Sequence, residues 1–549
     1  MNLTAPTRIL LLVAGLMFSC ASSAEAPVPD AGIPDVAKPD AAKPDAAKKN
    51  VFNIAEYQVS GNSLLPAIRI EEAVYRYLGE EKSIADVEKA RAALEKAYHD
   101  AGYLTVLVDI PEQSVSSGIV QLKVTEGSVE KIRVEGSHYF SLNRLLAKVP
   151  ELAEGNVPYF PDLQTQMVDA NHVADLKVTP VLRPGKTPGK VEAELKVDDQ
   201  LPLHASIELN NHASANTSLN RLVAMVRYDN LWQREHSLSL QYQTAPAKTS
   251  EVKVVSATYL MPVENSDNQL AFYAVASRSN VAVLGDMSVL GQGNIVGARW
   301  VIPLPSREQL FHSVTLGVDY KDFVDETLLA GANTGHTPIR YLPFSVAYGA
   351  NMPDEAGVNG ANVTLNFHLR EVGDRTTDCG GQLTSEFECK RFNAKPDYFY
   401  LRGDVERTHN LPHGLALFAK LVGQLASGPL ISNEQFIAGG ADSVRGYYES
   451  EQAGDDGARG ALELRGPQWA TGPFNDLRTL AFFESAHLRV REPLPAQTDA
   501  FNLASAGVGL RAQVWKGFTL GVDVAWPRKE TVFTEAGKAR IGFKAVGAF

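Results

Sequence analysis

Arg445 is the residue of this chain whose type and setting most suggest chemistry. It stands in the run Val444-Arg445-Gly446-Tyr447, inside a long polar segment, residues 427–458, that also holds Gly439 and Gly440. A guanidinium removed from bulk water needs a carboxylate partner, which arginine can grip through two parallel hydrogen bonds. Composition alone, however, predicts that a loop so rich in glycine is flexible and surface-exposed. Other candidates are sparse. Cys379 and Cys389 lie close together in a Gly/Thr/Ser-rich stretch, and in an exported protein that points to a structural disulfide closing one loop. No histidine or further cysteine gathers near them, and the 12 histidines show no ligand spacing, so no metal site is expected. There is no Gly-x-Ser-x-Gly elbow and no Gly-x-x-x-x-Gly-Lys-Ser/Thr loop. Neither an enzyme nor a nucleotide-driven machine is predicted, and no cofactor.

The elements that must position these residues fall into five stretches. Residues 1–24 read as a signal peptide: Arg8 is the positive flank, Ile9–Phe18 the apolar run and Ser22-Ser23-Ala24 the small-residue cleavage site. Cys20 offers a lipoprotein alternative, which Phe18 fits poorly. Residues 25–50 repeat Lys-Pro-Asp-Ala-Ala and have nothing apolar to bury, so they form a semi-extended linker. Residues 51–127 predict strand, helix, helix, strand, strand. The first helix carries Ile70, Val74, Tyr77 and Leu78 on one face. The second is capped by Ser83 and Asp86, carries Val87, Ala90, Leu94 and Tyr98, and is stopped by Gly102. Residues 128–199 restart the same order. From residue 200 to 549 the helical period gives way to two-residue alternation. Leu238, Leu240 and Tyr242 oppose Ser239, Gln241 and Gln243; Phe399, Leu401 and Val405 oppose Tyr400, Arg402, Asp404 and Glu406; Phe518, Leu520, Val522, Val524 and Trp526 oppose Thr519, Gly521 and Asp523. Polar faces this rich in charge suit a closed transmembrane barrel, lipid outside and water within, of about sixteen antiparallel strands. The fold class is therefore an α+β N-terminal region followed by an all-β barrel. A net charge of −12 argues against nucleic acid as a partner, and no apolar window past the N-terminus is long enough for a spanning helix.

The segment from Glu434-Gln435-Phe436-Ile437-Ala438-Gly439-Gly440 to the tetrad Val444-Arg445-Gly446-Tyr447 resembles the sixth-loop signature of the two-partner secretion transporters. These are haemolysin secretion/activation proteins of the BamA-like superfamily. Tyr98, Gly102, Tyr103 and the ending Glu126-Gly127 resemble POTRA domains, so the resemblance implies two periplasmic POTRA domains, 51–127 and 128–199. It also implies that the tetrad loop, between the eleventh and twelfth strands, folds back into the lumen. There Arg445 would meet the acidic residue of a Phe-x-Asp-x-Gly motif on the thirteenth strand, here Phe482, Glu484 and Ala486, with glutamate and alanine in place of aspartate and glycine. Exchanging the charges of Arg445 and Glu484 should then partly restore function. Phe549, closing an alternating strand, resembles the signal read by the barrel assembly machinery. The resemblance further implies a monomer in the outer membrane of a Gram-negative bacterium, surrounded by lipid. Its POTRA domains would bind an unfolded exoprotein of the β-helical adhesin or haemolysin kind, and the lumen would export it. An outer-membrane insertase of the same superfamily is the alternative. The family often carries an N-terminal plug helix, a pattern from which the 25–50 linker departs.

Overall fold

The computed structural model describes residues 51–549 apart from 265, 280, 285, 286, 291, 308, 330, 331, 380 and 496; the expected signal peptide, Cys20 and the linker lie outside the described residues. The chain divides into two units between Leu201 and Pro202.

In the N-terminal unit, strand β1 (Glu56–Ser60), helices α1 (Ala67–Val74) and α2 (Ile84–Asp100), and strands β2 (Val106–Asp109) and β3 (Ile119–Glu126) form one module. β1 pairs parallel with β3, which pairs antiparallel with β2. Ile70, Val74, Leu94 and Tyr98 pack on Val106, Val108, Leu122 and Val124. α2 starts where the sequence places it: the amide and hydroxyl of Ser83 both donate to Asp86 Oδ2, at 3.1 and 2.8 Å. α1 is shorter than its apolar face predicts. The chain tightens into a 3-10 turn at Tyr75–Tyr77, then pairs Gly79–Lys82 with Phe52–Ile54, so Tyr77 and Leu78 lie past the helix.

The second module repeats this plan with β4 (Ser128–Glu135), α3 (Leu142–Ala147), α4 (Phe160–Ala170), β5 (Leu176–Pro184) and β6 (Lys190–Asp199). β4 is parallel and β5 antiparallel to β6. The repetition reaches the turn after the first strand. A Cβ on Gly61 would lie 2.2 Å from the carbonyl oxygen of Val124, and one on Gly136 would lie 2.3 Å from that of Val197, so both turns require glycine. In each module a carboxylate at the end of the last strand clamps that turn. Glu126 accepts from the amides of Ser63 and Leu64 at 2.6 and 2.9 Å. Asp199 accepts from those of His138, Tyr139 and Phe140 at 2.9, 2.7 and 3.2 Å. Burial would raise the Asp199 carboxyl, but the amides of Tyr139, His138 and Phe140 outweigh it and hold its pKa below the usual range. The clamp therefore stabilises the module fully above the unfolded value of about 3.9 and loses its contribution as pH falls through the depressed folded value. Asp199→Ala is expected to cost about 1.5–3 kcal/mol at neutral pH, seen as faster hydrogen exchange across 128–199; unchanged exchange would refute the clamp.

The second unit is a closed sixteen-stranded antiparallel barrel, from Leu203–Asn210 round to Arg540–Ala548, which pairs with the first strand. Two strands are broken where proline removes a ladder donor. The eighth runs as Ala332–Tyr341 and Phe344–Asp354 around Pro343, and the twelfth as Asp456–Arg465 and Trp469–Thr471 around Pro467; both pieces of each pair with the same neighbour. Alternation sorts the side chains. Leu240, Val296, Leu401, Leu421, Leu462, Phe483 and Ile541 face outwards. Inside, Arg299 grips Asp319 at 2.6 and 2.9 Å, Lys420 meets Glu406 at 2.9 Å and Arg511 grips Asp523 at 2.9 Å. Among the described residues no helix is long and apolar enough to cross a membrane; the crossing is made by strands.

Candidate functional site

The segment between the eleventh strand (Ala416–Ala426) and the twelfth is not the exposed loop that its glycines suggest. Phe436, Ala438, Val444 and Tyr447 are buried, and Arg445 is only 6% exposed. Two features overrule composition. The loop carries its own strand pair, Phe436–Ala438 with Gln452–Gly454, which satisfies its backbone. Its apolar side chains also pack on Val422, Ala486, Leu488 and Leu503 of the inner wall. Gly446 adopts φ +94°, and a Cβ there would sit 3.1 Å from both Ala525 and Pro527, so the tetrad passes the wall at a point where only glycine fits.

Arg445 ends among acids. Its backbone amide donates to Glu484 Oε2 at 2.6 Å, and its Nε to Glu484 Oε1 at 2.7 Å. Nη2 reaches both Glu484 Oε1 and Glu463 Oε1, the latter at 2.6 Å. Nη1 lies 3.6 Å from Asp523 Oδ1. The guanidinium also stacks on Phe482, 3.5 Å from the ring centroid. Glu463, Glu484 and Asp523 belong to the twelfth, thirteenth (Phe474–Arg489) and fifteenth (Phe518–Pro527) strands. Their strand neighbours Leu462 and Phe483 are half-exposed on the outer face, so the acids point into the lumen and the arginine meets them there.

The structure thus brings Arg445, Phe482 and Glu484 together. The extra methylene of Glu484 is taken up by a grip on both the side chain and the backbone of residue 445. Ala486, where the family pattern has glycine, fits inside the apolar cluster under Val444. Tyr447 secures the far side of the tetrad: its hydroxyl donates to the carbonyl of Lys529 at 2.8 Å and lies 3.0 Å from that of Ala504. Cys379 and Cys389 form the expected disulfide, away from the tetrad. Phe549 lies just past the last strand, mostly exposed, and its backbone exchanges two hydrogen bonds with Ala205 of the first strand, at 2.8 and 3.2 Å.

Sequence reasoning named one acid and missed two. Glu463 and Asp523 were findable, since alternation sets both on the polar faces of their strands. A second acidic hub forms on Glu434, the first residue of the signature segment, whose partners the sequence did not point to. Glu434, 2% exposed, accepts from Lys321 Nζ and from the hydroxyls of Tyr341 and Tyr400, at 2.6, 2.6 and 2.8 Å.

Residues 52–127 match the family pattern "POTRA domain, ShlB-type", and residues 372–512 match "Haemolysin secretion/activation protein ShlB/FhaC/HecB". The latter stretch contains the whole tetrad loop together with Glu463 and Glu484. The chain is 21% identical to the outer membrane transporter CdiB of Dickeya dadantii, over 90% of this chain and 86% of that one. It is 20% identical to the heme/hemopexin transporter protein HuxB of Haemophilus influenzae, over 69% and 66%. Among solved structures, CdiB from Escherichia coli superposes with a TM-score of 0.58 at 17% identity, covering 93% of each chain. BamA from Haemophilus ducreyi lacking POTRA domains 1–3 gives 0.54 at 15% identity, covering 91% of this chain and all of that one.

Proposed function

Because the chain belongs to the two-partner secretion transporters of the Omp85 superfamily, we propose that it recognises one unfolded exoprotein in the periplasm and passes it through the barrel lumen. The family is one of secretion channels, not of enzymes. The protein resides in the outer membrane with its N-terminal region in the periplasm. On this reading both N-terminal modules are POTRA domains. Each sheet leaves two open edges, β1 and β2 in one, β4 and β5 in the other. An extended client can add a strand at such an edge, its backbone supplying affinity without a fixed sequence. The charged lumen then accepts an extended polar chain without holding it tightly, and folding of the client outside draws it through. Arg445 and its acids act as the dock that holds the tetrad loop in the lumen between export events.

The observation that carries this reading is the buried tetrad loop with its ring of acids, lying wholly within the stretch that matches the haemolysin secretion/activation pattern. Its test is removal of the gene from its own host. One large exported protein should vanish from the cell surface and medium, with other outer-membrane barrels at normal abundance. A general fall in barrel proteins would instead identify an insertase and overturn the exporter reading.

A further inference from the structure

The extracellular segment 369–397, between the ninth (Gly357–His368) and tenth (Tyr398–Asn410) strands, is built as a compact piece. It holds a short hairpin, Thr376–Cys379 with Gln382–Ser385, and the five-residue helix Glu386–Lys390. The disulfide ties the hairpin to that helix. A helix so short has no stability of its own and is held by what it touches. Phe387, 1% exposed, packs against Tyr341 and Tyr398, with centroids 5.4 and 5.9 Å away, and shares a cluster with Leu430 and Ile431 of the tetrad loop. Glu386 accepts the amide of Arg340 at 2.8 Å.

One residue past this helix, Arg391 reaches Asp455, which is fully buried at the end of the tetrad loop. Both terminal guanidinium nitrogens engage its carboxylate, Nη2 to Oδ2 at 2.7 Å. The same carboxylate accepts the amide of Leu430, where the tetrad loop begins, at 2.9 Å, and that of Arg491, in the next extracellular loop, at 2.7 Å. Arg391 also donates to the carbonyls of Leu430 and Arg491, the latter at 3.0 Å. Asp455 is thus a common pin for three loops. Among the described residues, the cation in salt-bridge contact with it, Arg391, comes from the stapled segment.

We infer that the disulfide-closed segment 369–397 and the tetrad loop form one latched lid at the extracellular mouth, with Arg391 on Asp455 as the latch and the disulfide as the staple that presents Arg391. Loosening the staple loosens the tetrad loop, although neither cysteine touches it. The coupling is a property of the folded barrel and stands apart from the export reading.

The test uses full-length protein in detergent micelles, folded before treatment. Dithiothreitol supplies two electrons and two protons to the Cys379–Cys389 bond, giving two thiols while it closes to its own cyclic disulfide; maleimide labelling scores the reduction. Hydrogen exchange across 427–455 should then accelerate about tenfold or more, while exchange in the barrel strands holds. Arg391→Met should produce the same acceleration with the disulfide intact. Fast exchange in 369–397 with unchanged protection of 427–455 would overturn the latch, as would Arg391→Met leaving 427–455 protected. If the bond resists dithiothreitol, the Cys379→Ser/Cys389→Ser double variant takes its place, with heat-modifiable mobility confirming the barrel.

Discussion

Arg445→Ala is expected to abolish secretion while leaving an assembled barrel in the outer membrane. The substitution strands Glu484, 3% exposed, with a backbone amide and no cation. Breaking one side of a buried ion pair costs about 3–5 kcal/mol. That cost falls on docking of the tetrad loop, since the strands keep their own ladders. At 1.4 kcal/mol per factor of ten, it lowers the equilibrium constant for docking by roughly two orders of magnitude or more. The readouts are exported partner in the medium, heat-modifiable mobility for the barrel and protease sensitivity of 427–455. Undiminished secretion with a protease-sensitive loop would remove the tetrad from the mechanism. The structure also revises a simpler expectation. A two-residue pair predicts partial rescue by Arg445→Glu with Glu484→Arg. In the folded barrel a glutamate at 445 would face Glu463 and Asp523 as well, so the exchange is expected to fail. Arg445→Lys is expected to retain part of the activity, because an ammonium keeps the charge and loses the fork that spans Glu484 and Glu463.

Deleting residues 51–199 is expected to take export to background and leave the barrel intact. The first barrel strand begins at Leu203, and the sheet closes from that strand to the last without any strand of the N-terminal unit. Heat-modifiable mobility and membrane fractionation should therefore match the full chain. Continued export by the truncated protein would refute client docking on the N-terminal modules.

Much of this architecture is legible in the sequence because it rests on local rules. The strand–helix–helix–strand–strand order follows from apolar spacing and from Ser83 with Asp86. The barrel follows from alternation, and the places of Arg445 and Glu484 follow from a resemblance. What escaped depends on closure. Glycine content reads as exposure until the inner wall supplies Val422, Leu488 and Leu503 for the loop to pack on. Glu463 and Asp523 reach Arg445 only when the twelfth and fifteenth strands curve round a common interior. Asp455 and Arg391 are 64 residues apart and lie in two separate loops, so no periodicity points from one to the other.

The docked tetrad loop is covalently part of the wall it leans on, and this sets the terms on which anything else enters the lumen. On the proposed export reading, a client chain would meet a competitor that is always present, because both ends of the loop are tied to the wall. Raising the amount of client therefore does little by itself. Passage needs a client segment that outbids the loop for the same acids, or a pull from the far side that exceeds the loop's docking free energy. On the proposed export reading, such a barrel would work as a thresholded valve, silent to stray unfolded chains in the periplasm and open only to one whose folding outside is steep enough.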